Sequence, residues 1–425
     1  MFDTDVLFIA IVVLGYGAVS GRIQNSHFTA PMIFTLVGFV AGGDVLGLFT
    51  VDLTDDVVRV VMEIALVLVL FTDATRIDIG LLRERFRLPL HLLGVAMPLI
   101  MLAGLGVALL LFPQFTVWEA LVVAVILAPT DAALGQVVVT SKAVPAVVRQ
   151  SLNVESGLND GLALPVLTFA VAATVAEGEA EGVGQWLAEA AGEVLIAIVV
   201  GVVVGYLGGL LVSKATESGW MSPPFQRLAA LGLALAAYSA TLELHGSGFI
   251  AAFVAGLTLG ALNRPVCECL FDFAEAEGQL LLLITFLFFG AAAVGPAMAE
   301  ATWQTVVYAV ASLTVVRLIP VLVSIWTRPL TLFTKLFIGW FGPRGIASII
   351  FGVLVLGDMA FGVRDEVFNV VSLTVLLSIV AHGLTARPAA NWYAREMDSM
   401  ADEHDTMDEF GFAPDIPTRA GMSDD

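Results

Sequence analysis

Residues 117–140 read VWEALVVAVILAPTDAALGQVVVT, a nearly unbroken apolar run that carries Ala128-Pro129-Thr130-Asp131 near its middle. About 20 apolar residues suffice to cross a bilayer as a helix. Pro129 has no N–H and biases Ala128 away from helix, so the run is expected to break at mid-depth. The break would free carbonyls and expose a half-helix end beside the Asp131 carboxylate, the arrangement from which midplane ion sites are built. The alternative is a proline-kinked helix whose single buried acid is satisfied by a neighbour.

The rest of the chain supports a membrane reading. Of its 425 residues 58 % are hydrophobic and 14 % charged, and the mean hydropathy is +0.93. Soluble domains carry roughly 25 % charged residues. Apolar runs recur near 6–20, 31–47, 57–73, 88–112, 117–140, 147–176, 193–213, 225–244, 246–262, 274–293, 303–327, 335–357 and 366–386. The expected fold class is an all-α polytopic membrane protein with about 13 transmembrane helices. A transmembrane domain would occupy residues 1–386, and an acidic, disordered tail residues 387–425.

If the spans alternate in direction, fifteen of the 19 basic residues fall on one side. Only Arg59 and Arg364 fall on the other, and Arg317 and Arg344 lie inside spans. The positive-inside rule makes the first side cytoplasmic. The N-terminus is then outside, the C-terminus inside, and the expected location is the cell membrane. The formal charge of −20 argues against a nucleic-acid partner. Much of that charge sits in the tail and in an expected outer loop holding Glu177, Glu179, Glu181, Glu189 and Glu193. Cys267 and Cys269 are too few for a disulfide framework or a zinc site. Gly201, Gly205 and Gly209 recur every fourth residue, which permits close helix packing.

Two further clusters of polar residues fall inside spans, where an ionisable group costs about 2.5–3.5 kcal/mol on insertion scales. Glu155-Ser156-Gly157-Leu158-Asn159-Asp160 puts Ser156 and Asp160 on one helix face and Glu155 and Asn159 on the adjoining stripe. Hard oxygen ligands of this kind suit Na⁺ or another small cation; a structural hydrogen-bond cluster is the alternative. Gly342-Pro343-Arg344-Gly345 is expected to break a second span, and its arginine needs a partner at that depth. Arg344 reads equally as a structural partner or as part of an ion site. The two breaks lie seven spans apart, so their helices cross in opposite directions, as in inverted repeats. Asp73 either faces the site or is a helix-end acid, and Arg317 reads as one half of a structural ion pair. The five histidines fall at span ends or in loops with no ligand spacing, and none is given a role. A phosphate loop and the commonest hydrolase and metalloprotease signatures are missing. A transporter rather than an enzyme is therefore expected, with no cofactor.

Taken together, A-P-T-D at 128–131, E-S-G-L-N-D-G at 155–161 and G-P-R-G at 342–345 resemble the monovalent cation:proton antiporters, most closely the NhaP/NHE branch of sodium/proton exchangers. The resemblance spans about residues 5–386. It implies a homodimer whose protomers each carry a core with two crossing, partly unwound helices. It also implies that Asp160 binds the cation and the proton in turn, with Thr130, Asp131 and Ser156 completing the Na⁺ site and Asn159 beside it. Glu155 would pair with Arg344. Where relatives have glutamate this chain has Asp73, one methylene shorter. Asn159 stands where the electrogenic branch has a second aspartate, which implies electroneutral exchange of Na⁺ or Li⁺ for H⁺. A K⁺/H⁺ antiporter is the alternative within transport, and a cation channel or sensor the alternative outside it.

Overall fold

A computed structural model describes residues 2–23, 26, 28–77, 87–141, 144–178, 183–262, 264–358 and 363–400. The described residues form helices and connecting turns, with no strand among them. In chain order the helices are α1 (Phe2–Ile23), α2 (Ala30–Ala41), α3 (Asp56–Arg76) and α4 (Arg87–Leu111), the last with a π-helical turn at Leu92–Ala96. Next come α5 (Val117–Ile126), α6 (Ala132–Thr140), α7 (Ala146–Gly178), α8 (Val183–Glu217), α9 (Pro223–Glu243) and α10 (Gly248–Leu262). The remainder are α11 (Arg264–Ala292), the short α12 (Val294–Ala299), α13 (Trp303–Leu313), α14 (Val315–Ser324), α15 (Leu332–Trp340), α16 (Ile346–Asp358) and α17 (Arg364–Met400).

The helices coincide with the apolar runs. By length and composition α1, α4, α7, α8, the α13–α14 pair and α17 can each cross a bilayer. Both expected breaks are present: residues 127–131 part α5 from α6, and residues 341–345 part α15 from α16. A third, unforeseen interruption falls at Thr314, where ψ is −96° and the single run expected over 303–327 divides into α13 and α14.

Local chemistry sets where these pieces begin. The Thr116 hydroxyl accepts from Glu119 N at 3.3 Å and the Glu119 carboxylate accepts from Thr116 N at 2.7 Å, a reciprocal cap that starts α5. The hydroxyl of Thr331 accepts from Thr334 N at 3.1 Å and starts α15.

Two groups of helices emerge from the packing. Helices α2, α3 and α8–α11 pack mainly on one another, and α4–α7 mainly on one another and on α13–α17. A Cβ on Gly201 or Gly205 would lie 2.7 or 2.5 Å from a carbonyl oxygen of α10. The small-residue stripe therefore lets α8 lie directly on the α10 backbone, as its spacing suggested.

Three expectations need correction or bounding. Glu189 and Glu193 belong to α8, not to a loop, because the helix starts a turn and a half before the first of them; Glu179 and Glu181 lie outside the described residues. The stretch 387–400 is not a disordered tail but the continuation of α17. Buried Tyr393 holds it in place, with its ring stacked on Phe337 at 4.2 Å and its hydroxyl 2.8 Å from the Thr334 hydroxyl. Residues 401–425, with Arg419 and most of the tail's acids, lie outside the described residues, as do Arg83, Arg85, Lys142 and His27.

Candidate functional site

The two breaks meet. Unwinding strands backbone donors and acceptors where water cannot satisfy them, and each must find a partner in the protein. Here the breaks satisfy one another. Asp131 N donates to Pro343 O at 2.8 Å. The Arg344 guanidinium reaches back to the carbonyls of Ala128 and Pro129, the second at 2.9 Å. Ser348 Oγ donates to Ile126 O at 2.8 Å.

Asp131 occupies the crossing itself. Its Oδ1 accepts from Ala133 N and its Oδ2 from Ile346 N, both at 2.8 Å. One carboxylate thus caps two half-helices, α6 and α16, whose positive ends converge on it. Glycine is required at two contact points. A Cβ on Gly345 would lie 1.9 Å from Asp131 Oδ2, and one on Gly342 would lie 2.4 Å from Arg317 Nε.

Helix α7 passes beside the first break. Asn159 Nδ2 donates to Thr130 Oγ1 at 2.7 Å, and Ser156 Oγ lies 3.5 Å from the same hydroxyl. Ser156 also donates to Leu152 O at 2.9 Å. Asp160, one turn beyond Ser156, is 3 % exposed. Asp73 approaches from α3 and is buried too. Its Cβ lies 3.7 Å from the point a Cβ on Gly157 would occupy, so it faces the same stretch of α7. It also lines a cavity of about 50 Å³ with Thr72, Arg76, Gln136 and Gln279. The structure therefore gathers Thr130, Ser156 and Asn159 around one hydroxyl, with Asp131, Asp160 and Asp73 on the elements that carry or adjoin them. The donor set is entirely oxygen and amide. It suits a hard monovalent cation or a proton, and no group of three or more His, Cys, Asp or Glu side chains arranged to hold a metal occurs among the described residues.

The ion pair implied for Glu155 and Arg344 is not the one formed. Glu155 accepts from both terminal nitrogens of Arg317, at 2.9 Å for Nη2 and closer for Nη1. Both side chains are buried. The Thr314 interruption explains the exchange. It sets Arg317 in the first turn of α14, across from Glu155, while the carbonyls unwound at 128 and 129 share Nη1 of Arg344. Arg317, read from sequence only as half of some structural pair, is thus the partner of Glu155.

His382 was also missed. The sequence put it at a span end, but it is buried midway along α17. Its Nε2 lies 3.0 Å from Trp340 O, the last carbonyl of α15, and its Nδ1 3.2 Å from Ser378 Oγ. Ser378 Oγ in turn accepts from Arg344 N at 2.6 Å. The four-residue spacing of Ser378 and His382 was a readable signal of a shared face; a backbone carbonyl as partner has no sequence signature.

Comparison with known proteins bears on the family and the fold. The family model described as "Sodium/hydrogen exchanger, transmembrane" matches residues 8–392. A protein named K(+)/H(+) antiporter NhaP, from Alkalimonas amylolytica, is 28 % identical over 418 residues, which is 95 % of this chain and 69 % of the relative. The solved structure of the sodium proton antiporter MjNhaP1 from Methanocaldococcus jannaschii at pH 8 superposes with a TM-score of 0.76 at 17 % identity, covering 93 % of this chain and 99 % of the other. A structure of MjNhaP1 from an electron-microscopy map gives 0.72 at 16 % identity, with 98 % and 100 % covered. At these identities the two structures establish the fold.

Proposed function

From the premise that this chain belongs to the sodium/hydrogen exchanger family, we propose that it exchanges Na⁺ for H⁺ across the cell membrane at the Asp160 carboxylate. It is a secondary active cation/proton antiporter. The observation that carries the assignment to Asp160 is its setting. The carboxylate is buried on α7 beside Asn159, whose amide is bound to Thr130 in the broken span. Thr130, Ser156 and Asp131 supply further oxygens, and Asp73 borders the approach through the cavity that it shares with Gln136.

A single carboxylate binds one cation or one proton. Competition for it couples the two fluxes with no further machinery, and the exchange is electroneutral. Asn159 contributes an amide donor to Thr130 and adds no second charge. Alternating access arises when α4–α7 and α13–α17 shift against α2, α3 and α8–α11, the division present in the packing. Residues 1–386 with the α17 extension form the transporting unit, with the N-terminus outside and the C-terminus cytoplasmic, as the distribution of basic residues supports. The apolar length of α1, no residue of which is fully buried, and the exposed Leu207 and Leu211 of α8 support a homodimer, with lipid covering what remains.

K⁺ is the second reading, favoured by the name of the Alkalimonas relative. Proteoliposomes loaded with a pH-sensitive dye and challenged with Na⁺, Li⁺ and K⁺ in turn decide between them. Asp160→Asn is expected to abolish cation-dependent proton movement in everted vesicles. Retained exchange would overturn the assignment to Asp160.

A further inference from the structure

Helix α17 does more than cover the second break. Every backbone group released between Trp340 and Ile346 that has a partner on α17 meets one of two side chains. Trp340 O faces His382 Nε2 at 3.0 Å, and Arg344 N donates to Ser378 Oγ at 2.6 Å. A carbonyl oxygen only accepts, so Nε2 carries the hydrogen. In the neutral ring Nδ1 is then an acceptor, with the Ser378 hydroxyl 3.2 Å away to donate to it and the Ser378 carbonyl oxygen, one turn back on the same helix, at 3.1 Å. The result is one continuous chain, Arg344 N–H to Ser378 Oγ–H to His382 Nδ1 and His382 Nε2–H to Trp340 O. It clasps both ends of the unwound segment, and Trp340 O takes a second bond from Gly342 N at 2.8 Å. The Trp340 indole adds a bond to Thr385 Oγ1 at 3.1 Å and lies 5.1 Å from the imidazole, ring to ring.

We propose that His382 and Ser378 are positioning residues for cation binding, which act through residues 340–345 on the opposite break. The inference rests on the antiporter reading above. Held from one side by α17, segment 341–345 grips residues 128–131 from the other, through Pro343 O, the Arg344 guanidinium and the Asp131 cap. Thr130, whose hydroxyl is shared with Asn159 and Ser156, rides on that grip. Loosening the clasp displaces cation ligands that His382 never touches.

The test uses the full-length chain purified as wild type, His382→Ala, His382→Gln and Ser378→Ala, with two readouts. In proteoliposomes, His382→Ala and Ser378→Ala are expected to raise the apparent KM for the cation at least fivefold with folded protein recovered. His382→Gln, whose amide can still donate to Trp340 O, should stay within about twofold of wild type. By hydrogen–deuterium exchange, peptides covering 341–345 and 128–131 should lose protection in the two alanine variants. KM within twofold and unchanged protection in both alanine variants would overturn the inference. So would a glutamine variant no better than alanine, or failure of all three variants to fold, which would mean a role in the fold alone. Wild-type protein that exchanges no cation for protons would overturn the antiporter reading instead, and the exchange protection would then decide the inference by itself.

Discussion

Replacing Arg317 by alanine should be more damaging than replacing Arg344, although Arg344 lies in the more conspicuous motif. Arg317 holds Glu155 with both terminal nitrogens, and both side chains are buried. Removing one partner of a buried pair leaves an uncompensated charge and costs about 3–5 kcal/mol. Arg344→Ala strands the carbonyls of Ala128 and Pro129, neutral acceptors whose exposure costs about 1–3 kcal/mol each when no other donor turns to them. It leaves Glu155 bound to Arg317, so no buried carboxylate loses its hydrogen-bonded partner and the net loss is smaller. At about 1–2 °C per kcal/mol for a chain of this length, Arg317→Ala should lower the Tm in detergent by about 5 °C. The decisive assay is a pair of double-mutant cycles, Glu155→Gln with Arg317→Met and Glu155→Gln with Arg344→Met, read by thermal unfolding of the purified protein. The first should show coupling of about 2–3 kcal/mol and the second less than about 1 kcal/mol. Coupling that is larger in the second cycle would refute the pairing and restore the partnership implied by motif resemblance.

Three other outcomes follow from the geometry. Gly345→Ala drives a methyl to within 1.9 Å of Asp131 Oδ2; it should abolish cation-dependent proton flux and lower folded yield, while Gly135→Ala, whose nearest neighbour would be 3.9 Å away, should leave both near wild type. Asn159→Asp removes the amide donor to Thr130 Oγ1 and sets a second carboxylate beside Asp160. Proton flux at neutral pH should fall at least tenfold, and an unchanged rate would take that hydrogen bond out of the mechanism. Tyr393→Ala empties the space between Phe333 and Phe337 and frees the Thr334 hydroxyl. A loss of about 3–5 kcal/mol is expected, visible as a lower Tm, and an unaltered Tm would mean that the end of α17 contributes nothing to the fold.

The fold was largely legible because crossing a bilayer demands long apolar runs, and those are conspicuous in a sequence. The breaks at 128–131 and 342–345 were legible too, since proline and glycine mark where a helix cannot continue. What escaped depended on partners. Arg317 and Arg344 are both arginines inside spans, and nothing in one dimension tells which of them faces Glu155; the answer lay in the turn at Thr314, a residue with no helix-breaking reputation. His382 escaped because it meets a carbonyl and a serine, not a recognisable ligand set. The end of α17 was misjudged because polar residues beyond the apolar run look like a solvated tail, although an aromatic at 393 was packing against α15.

The charge arrangement at the crossing has a consequence for the unloaded carrier. Asp131 faces the positive ends of two half-helices, Ser348 the carbonyl that ends α5, Arg344 the two carbonyls freed just beyond it, and His382 the carbonyl that ends α15. Each exposed helix terminus is thereby matched by a residue of the protein itself, with no help from cargo. If Asp160 carries cation and proton in turn as proposed, the scaffold around it has no electrostatic reason to collapse when the one leaves or to stiffen when the other replaces it. On that mechanism the cation-loaded and the protonated forms would share one pre-built frame at the crossing.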